Sequence, residues 1–129
     1  MAAITSFRDI RVWQYAMQLT VDTYGLAGNL PPSERPGLAT DLQQTVIIIP
    51  TLIASGHKSG SRAEMISSCR QAATVAGKLE TLLIITGQLY PSVPSNDIVD
   101  MVDEVQQMLL HVVSRLSEAA PAKPRRKTV

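Results

Sequence analysis

The chain carries apolar side chains at helical spacing in four successive segments. The first runs from about Asp9 to Asn29, and the second runs from Ser33 to Gly56. The stripe of the first segment that we expect to be buried is Ile10, Trp13, Met17, Thr20 or Val21, and Tyr24. The stripe of the second is Leu38, Leu42, Val46, Ile49 and Ile53. Apolar residues that recur every three or four positions predict amphipathic helices.

The other two segments repeat this pattern. The sequence Ser61-Arg62-Ala63-Glu64 predicts a capping box for the third, and a proline-rich turn precedes the fourth. Their stripes are Met65, Cys69, Ala72, Ala76, Leu79, Leu83, Thr86 and Tyr90, then Ile98, Val102, Val105, Leu109, Val112 and Leu116. Short connections between long helices favour antiparallel neighbours. The predicted fold class is all-α, an antiparallel up-down-up-down four-helix bundle over residues 1–119, with a disordered basic tail over residues 120–129.

Two isoleucines of the second segment do not fit its stripe. Ile47 and Ile48 make the run from Val46 to Ile49 apolar nearly all round. A strand would explain such a β-branched run, but the helical period continues on both sides of it and favours a helix. Pro50 lacks an N–H and its ring crowds the preceding turn, so we expect a kink. Because a four-helix bundle has no central helix, Ile47 and Ile48 are the predicted oligomer interface.

Composition agrees with packed helices and adds information about charge. Aromatic residues make up only 4% of the chain, whereas strands of sandwiches and barrels usually carry more of them. Four of the twelve basic residues lie in the tail, which leaves eight basic and eleven acidic residues elsewhere, a net charge of −3. A mildly acidic body does not attract phosphate as a whole, so nucleic-acid binding would depend on local basic groups.

The local basic groups are few. Lys58 and Arg62 flank a stretch of glycine and serine that has the composition of an anion cradle at a helix N-terminus, without the order of a phosphate loop. An ordinary interhelical turn explains the same stretch. The tail supplies Lys123, Arg125, Arg126 and Lys127. These six residues are the candidate anion or nucleic-acid contacts.

The residue pattern favours neither catalysis nor metal binding. Cys69 is the single cysteine, and with His57 and His111 it supplies too few ligands for a zinc site. No nucleophile, base and orienting group can be assembled, so we expect no enzyme, no cofactor and no small-molecule substrate. The first residues lack a basic region followed by an apolar run, and no uninterrupted apolar stretch approaches the ~18 residues of a membrane span. We therefore expect a cytoplasmic protein with no membrane partner.

Short motifs along these segments are similar to those of a known family. They are Phe7-x-Asp9-Ile10-x-Val12-Trp13, then Gly37-Leu38 with Leu42, Ile49-Pro50, Ile53-Ala54 and Gly56, then Ser61-x-x-Glu64, and Leu79-Glu80-Thr81. Together they resemble the four-helix-bundle proteins named after the 23S ribosomal RNA intervening sequence, which include the accessory variability proteins of diversity-generating retroelements. The resemblance extends to about Leu116.

The resemblance implies self-association, because similar members of the family form ring-shaped homo-pentamers. Strongly basic members bind nucleic acid or a reverse transcriptase, but here Gln43-Gln44 stand where the family usually has an arginine pair. The expected function is a non-catalytic, homo-oligomeric helical bundle that acts as an assembly or accessory module, with itself and a protein or nucleic acid as candidate partners. The alternative is an RNA- or DNA-binding accessory protein of a ribonucleoprotein or retroelement system.

Overall fold

The computed structural model describes residues 6–119, and all regular secondary structure in this range is helical. Two short 3-10 helices, Phe7–Asp9 and Pro32–Glu34, precede the first and second long segments. The α-helices are α1 (Arg11–Gly28), α2 (Leu38–Val46), α3 (Ile48–Lys58), α4 (Arg62–Leu89) and α5 (Asn96–Ala119). The all-α prediction is confirmed. The predicted tail, residues 120–129, lies outside the described residues.

Helices α2 and α3 are two parts of one rod, interrupted at Ile47. Ile47 keeps a right-handed helical backbone, with φ −66° and ψ −20°. Pro50 has no N–H to donate to the carbonyl of Val46, and this missing bond accounts for the interruption. The carbonyl of Ile47 keeps a backbone hydrogen bond from the N–H of Thr51, at 3.4 Å, and also accepts the hydroxyl of Thr51 at 2.7 Å. The irregularity expected from Pro50 is therefore present, as an interruption of the helix at Ile47.

The core lies between the α2–α3 rod and helices α1, α4 and α5. Helix α4 packs against both the rod and α5, and α1 packs against the rod and α5. Most predicted stripe positions of the last three segments are buried, including Leu42, Ile49, Ile53, Leu79, Leu83, Val105 and Leu109. The small residues Ala72, Ala73 and Ala76 are also buried on α4. They let neighbouring helices approach α4 closely.

The predicted stripe of the first segment was wrong after Trp13, which is half-buried and packs against the core. The buried residues of α1 are Val12, Ala16, Leu19, Thr23, Leu26 and Ala27. Of the predicted stripe only Ile10 is buried, at the N-cap of the helix, whereas Met17, Val21 and Tyr24 are exposed. Both stripes are apolar at helical spacing, so periodicity alone does not distinguish the core face from the outer face. The smaller side chains Ala16 and Thr23 face the core, where they permit close packing.

Two helix boundaries also differ from the prediction. Ser33 belongs to a 3-10 turn and does not cap α2, which begins at Leu38. Gly56 is not the end of the second segment, because α3 continues to Lys58. Gly56 is instead buried against α4, where an added Cβ would lie 2.7 Å from the Cβ of Ser68. The turn into α4 is made at Gly60, whose φ of 72° favours glycine.

The α2–α3 rod is also apolar enough to be compared with a membrane span. Residues Leu38–Lys58 form a 21-residue stretch with a mean hydropathy of 1.2, and 44% of its 18-residue window is buried inside the bundle. A core helix of a bundle has the same length and composition, so this stretch is weak evidence for a membrane location.

Candidate interaction surface

Ile47 and Ile48 lie on the outer side of the rod, at its interruption. They are 42% and 41% exposed, whereas the adjacent Val46 and Ile49 are fully buried. Consecutive helical residues point ~100° apart, so the two isoleucines flank different sides of the rod. Ile47 is one turn before Thr51, and Ile48 is one turn before Leu52. At this exposure both side chains are accessible at the surface of the single chain, as an oligomer interface requires.

A second group of exposed apolar side chains lies on α1. Met17 is 39%, Val21 61% and Tyr24 43% exposed. They recur at spacings of four and three residues, so they share one face of the helix. Sequence reasoning placed these residues in the core and therefore missed them as surface candidates. The long apolar residues on two faces of one helix were the signal that could have identified them.

A groove between α1 and α3 brings parts of these two groups together. It has a volume of about 530 Å³, and its lining residues are Trp13, Met17, Pro50, Thr51, Ala54, Ser55 and Lys58. Tyr24 follows Met17 by two turns on α1, and Ile47 precedes Thr51 by one turn on the rod. Both residues therefore extend the groove toward the interruption of the rod. We call Met17, Tyr24, Ile47, Thr51 and Ala54 the α1–α3 apolar surface.

Trp13 lies at the end of this groove near Lys58. Its ring is half-buried and packs edge-on against Phe7, with the ring centroids 5.2 Å apart and the planes at 66°. Packing of this kind is typical of aromatic side chains in protein cores. The proximity of an aromatic ring and a lysine was not predicted from the sequence, because these residues are 45 positions apart.

The predicted anion contacts are only partly covered by the structure. Lys58 ends α3 and Arg62 begins α4, with only three residues between them, and both side chains are exposed. The hydroxyl of Ser61 accepts a hydrogen bond from the N–H of Glu64 at 3.2 Å, so Ser61 is the N-cap of α4 as predicted. The reciprocal half of the predicted capping box is absent, because the N–H of Ser61 donates to Oγ of Ser59 at 3.1 Å. Lys123, Arg125, Arg126 and Lys127 lie outside the described residues.

The groups that could support chemistry are dispersed within residues 6–119. In this range no three His, Cys, Asp or Glu side chains are grouped closely enough to hold a metal ion. Cys69 is fully buried on α4, and burial raises the pKa of its thiol to about 11. A thiol with this pKa is protonated at neutral pH, whereas a nucleophilic cysteine is a thiolate. His57 is on α3 and His111 is on α5.

Comparison with known protein families supports the resemblance noted from the motifs. A sequence profile described as 23S rRNA-intervening sequence protein matches residues 8–111. The chain belongs to this family. The matched region begins in the first 3-10 helix and ends within α5, so it includes the whole α1–α3 apolar surface. A search of curated proteins found no match to the chain.

Proposed function

We propose that the chain is a non-catalytic, homo-oligomeric helical bundle that acts as an assembly or accessory module, located in the cytoplasm. The observation that carries the proposal is the exposure of Ile47 and Ile48 within a rod whose other apolar positions are largely buried. Contiguous exposed apolar side chains are a common mark of a protein–protein interface. The α1–α3 apolar surface enlarges this patch across two helices.

The proposed subunit is an antiparallel, up-down-up-down bundle. Support comes from the helix neighbours, because α1 and α4 each contact both the rod and α5. The short connection Ser59-Gly60-Ser61 also favours an antiparallel arrangement of α3 and α4. Membership of the family makes a homo-pentamer the form that we expect, with the contact repeated around a ring.

The test is size-exclusion chromatography with multi-angle light scattering on the full chain and on Ile47→Asp, Ile48→Asp and Met17→Asp variants. We expect a discrete oligomer for the unaltered chain and a smaller, still helical species for each variant, because a buried carboxylate is costly at an interface. Leu110→Asp is the matched control, since Leu110 is 51% exposed on α5, away from this surface. A monomeric unaltered chain would refute the proposal, and loss of circular-dichroism helicity in the variants would place these residues in the monomer core.

A second candidate function is nucleic-acid binding, and the observation that favours it is the position of Lys58 in the same groove as Trp13. An aromatic ring beside a cation is a common element of single-strand binding sites. The alternative predicts binding at low ionic strength that weakens steeply as salt rises and is reduced by Lys58→Glu and Arg62→Glu. Absent or salt-independent binding in such a titration would exclude it.

A further inference from the structure

A cavity lies on another side of the bundle, between the start of α1 and the second half of α5. Its volume is about 810 Å³, within the ~300–1,000 Å³ that is typical of ligand sites. Ile10 and Val12 form a buried floor at the start of α1. Met108, Val112 and Leu116 form one wall, half-buried and spaced by four residues along one face of α5. The cavity therefore offers an elongated apolar surface.

The charged groups of this cavity are unevenly distributed along it. Arg11 of α1 and Arg115 of α5 both line the cavity, with His111 one turn before Arg115. The guanidinium of Arg11 is 5.8 Å from the centroid of the Tyr15 ring, one turn further along α1. Glu104 lies at the other end, and eleven residues of helix separate it from Arg115, a distance of about 16 Å. One end of the cavity is therefore basic and the other acidic.

The first turn of α1 adds to the basic end. Ile10 is the N-cap of α1 and provides no side-chain hydrogen bond to the N–H groups of the first turn. Arg11 and Val12 carry two of these groups, and both residues line the cavity. Free N–H groups and the helix dipole favour an anion at this position. Three independent features, the two arginines and the helix start, thus favour negative charge at the same end.

We propose that the cavity binds an amphipathic monocarboxylate, such as a free fatty acid. Its carboxylate contacts Arg11, Arg115 and the first turn of α1, and its apolar chain lies along Met108 and Val112. Glu104 disfavours a second carboxylate at the far end. Residues 1–5 and 120–129, which lie outside the described structure, contain no Asp or Glu side chain. The proposal of this ligand does not depend on whether the chain self-associates.

The experiment is isothermal titration calorimetry of the full chain with dodecanoate, kept below its micelle concentration. We expect saturable binding of one dodecanoate per chain. Affinity should fall about two- to fourfold for each methylene removed from the ligand, because the apolar chain is transferred from water. Dodecyltrimethylammonium has the same apolar chain and a cationic head, and we expect it to bind at least tenfold more weakly.

Two charge-reversal variants locate the site. Arg115→Glu should weaken dodecanoate binding at least tenfold, because it places a carboxylate beside the ligand's own. Arg70→Glu is the matched control, since Arg70 is an exposed arginine that lines a different groove, between α4 and α5. It should leave the affinity unchanged. Circular dichroism of both variants, with the same helicity as the unaltered chain, excludes unfolding as the cause.

Several results would overturn the proposal. They are the absence of saturable binding, equal affinity for the cationic amphiphile, and equal loss in the Arg70 and Arg115 variants. Binding to anionic phospholipid vesicles without binding of free dodecanoate would mean that the basic end of the cavity recognises a membrane surface and not a free carboxylate. Because each titration is accompanied by a light-scattering measurement of subunit number, failure of ligand binding is distinguishable from failure of self-association.

Discussion

The phenol of Tyr90 donates a hydrogen bond of 2.5 Å to Oε2 of Glu34, a residue 56 positions earlier in the chain. The other oxygen of this carboxylate, Oε1, accepts a hydrogen bond from the N–H of Leu38 at 2.9 Å. Glu34 therefore caps the start of α2 and joins it to the end of α4. It does so across Gly37, where an added Cβ would lie 2.7 Å from Oε1, so only glycine leaves room for this arrangement.

This pair predicts a pH-dependent contribution to stability. The Tyr90 hydroxyl and, to a smaller extent, the Leu38 N–H lower the pKa of Glu34 below its ordinary 4.5. The contribution of this hydrogen bond to the free energy of unfolding is therefore present above pH 4.5 and is lost as the pH falls through the lowered pKa of Glu34. Tyr90→Phe should lower the melting temperature at pH 7, and the difference from the unaltered chain should shrink in acid.

The stabilisation from the Tyr90–Glu34 hydrogen bond is also lost at high pH. Glu34 raises the pKa of Tyr90 above its ordinary 10.0, so the contribution is fully present below that value and is lost as the pH rises through the raised pKa. Thermal melts of the dissociated chain by circular dichroism between pH 3 and pH 7 check the loss in acid, with Tyr24→Phe as a control on a tyrosine that is exposed in the single chain. A deficit of Tyr90→Phe that is constant over this range would contradict the assignment.

The face of α1 that contacts the core is tested by truncating one residue on each stripe. Leu19 is fully buried, and Leu19→Ala should lower the free energy of unfolding by about 2–5 kcal/mol, because it leaves a cavity. Met17→Ala should change the free energy of unfolding of the dissociated chain by no more than about 0.5 kcal/mol. Urea denaturation at low protein concentration measures both. Equal losses would mean that α1 is rotated relative to the structure.

The close approach of α3 and α4 at Gly56 predicts opposite effects for two glycine substitutions. Gly56→Ala should destabilise the fold by about 1–3 kcal/mol, because the new methyl group would overlap Ser68. Gly25→Ala is the control, since nothing lies within 4 Å of its added Cβ in α1, and it should stabilise the helix by about 0.5–1 kcal/mol. The Gly56→Ala/Ser68→Gly double variant should lose less stability than the sum of the single changes.

A buried hydroxyl on α1 is expected to reduce stability. Thr23 Oγ1 is buried without a hydrogen-bond partner, whereas the equally buried Thr86 donates to the carbonyl of Leu82 at 2.8 Å. Thr23→Val should therefore raise the free energy of unfolding by about 1 kcal/mol, because it removes an unsatisfied polar atom. Thr86→Val should give no such gain. Chemical denaturation of both variants measures the difference, and a loss for Thr23→Val would point to a hydrogen bond formed in solution.

Much of the architecture was predictable from local pattern. The apolar stripe of α5 alternates with charged positions, so only one face of that helix is suited to burial. The break at Ile47 follows from the ring of Pro50, a covalent property of the residue. The exposure of Ile47 and Ile48 was predictable for a similar reason, since a helix in a four-helix bundle cannot bury its whole circumference.

What the sequence by itself determined is the set of helices, most of the core and the family. Only the tertiary structure decided which of the two apolar stripes of α1 faces inward, because both have the same period and the choice depends on which side chains fit between neighbouring helices. It also decided that Glu34 is hydrogen-bonded to Tyr90 and that Trp13 shares a groove with Lys58. These contacts join residues far apart in the chain, and helical periodicity contains no information about such distances.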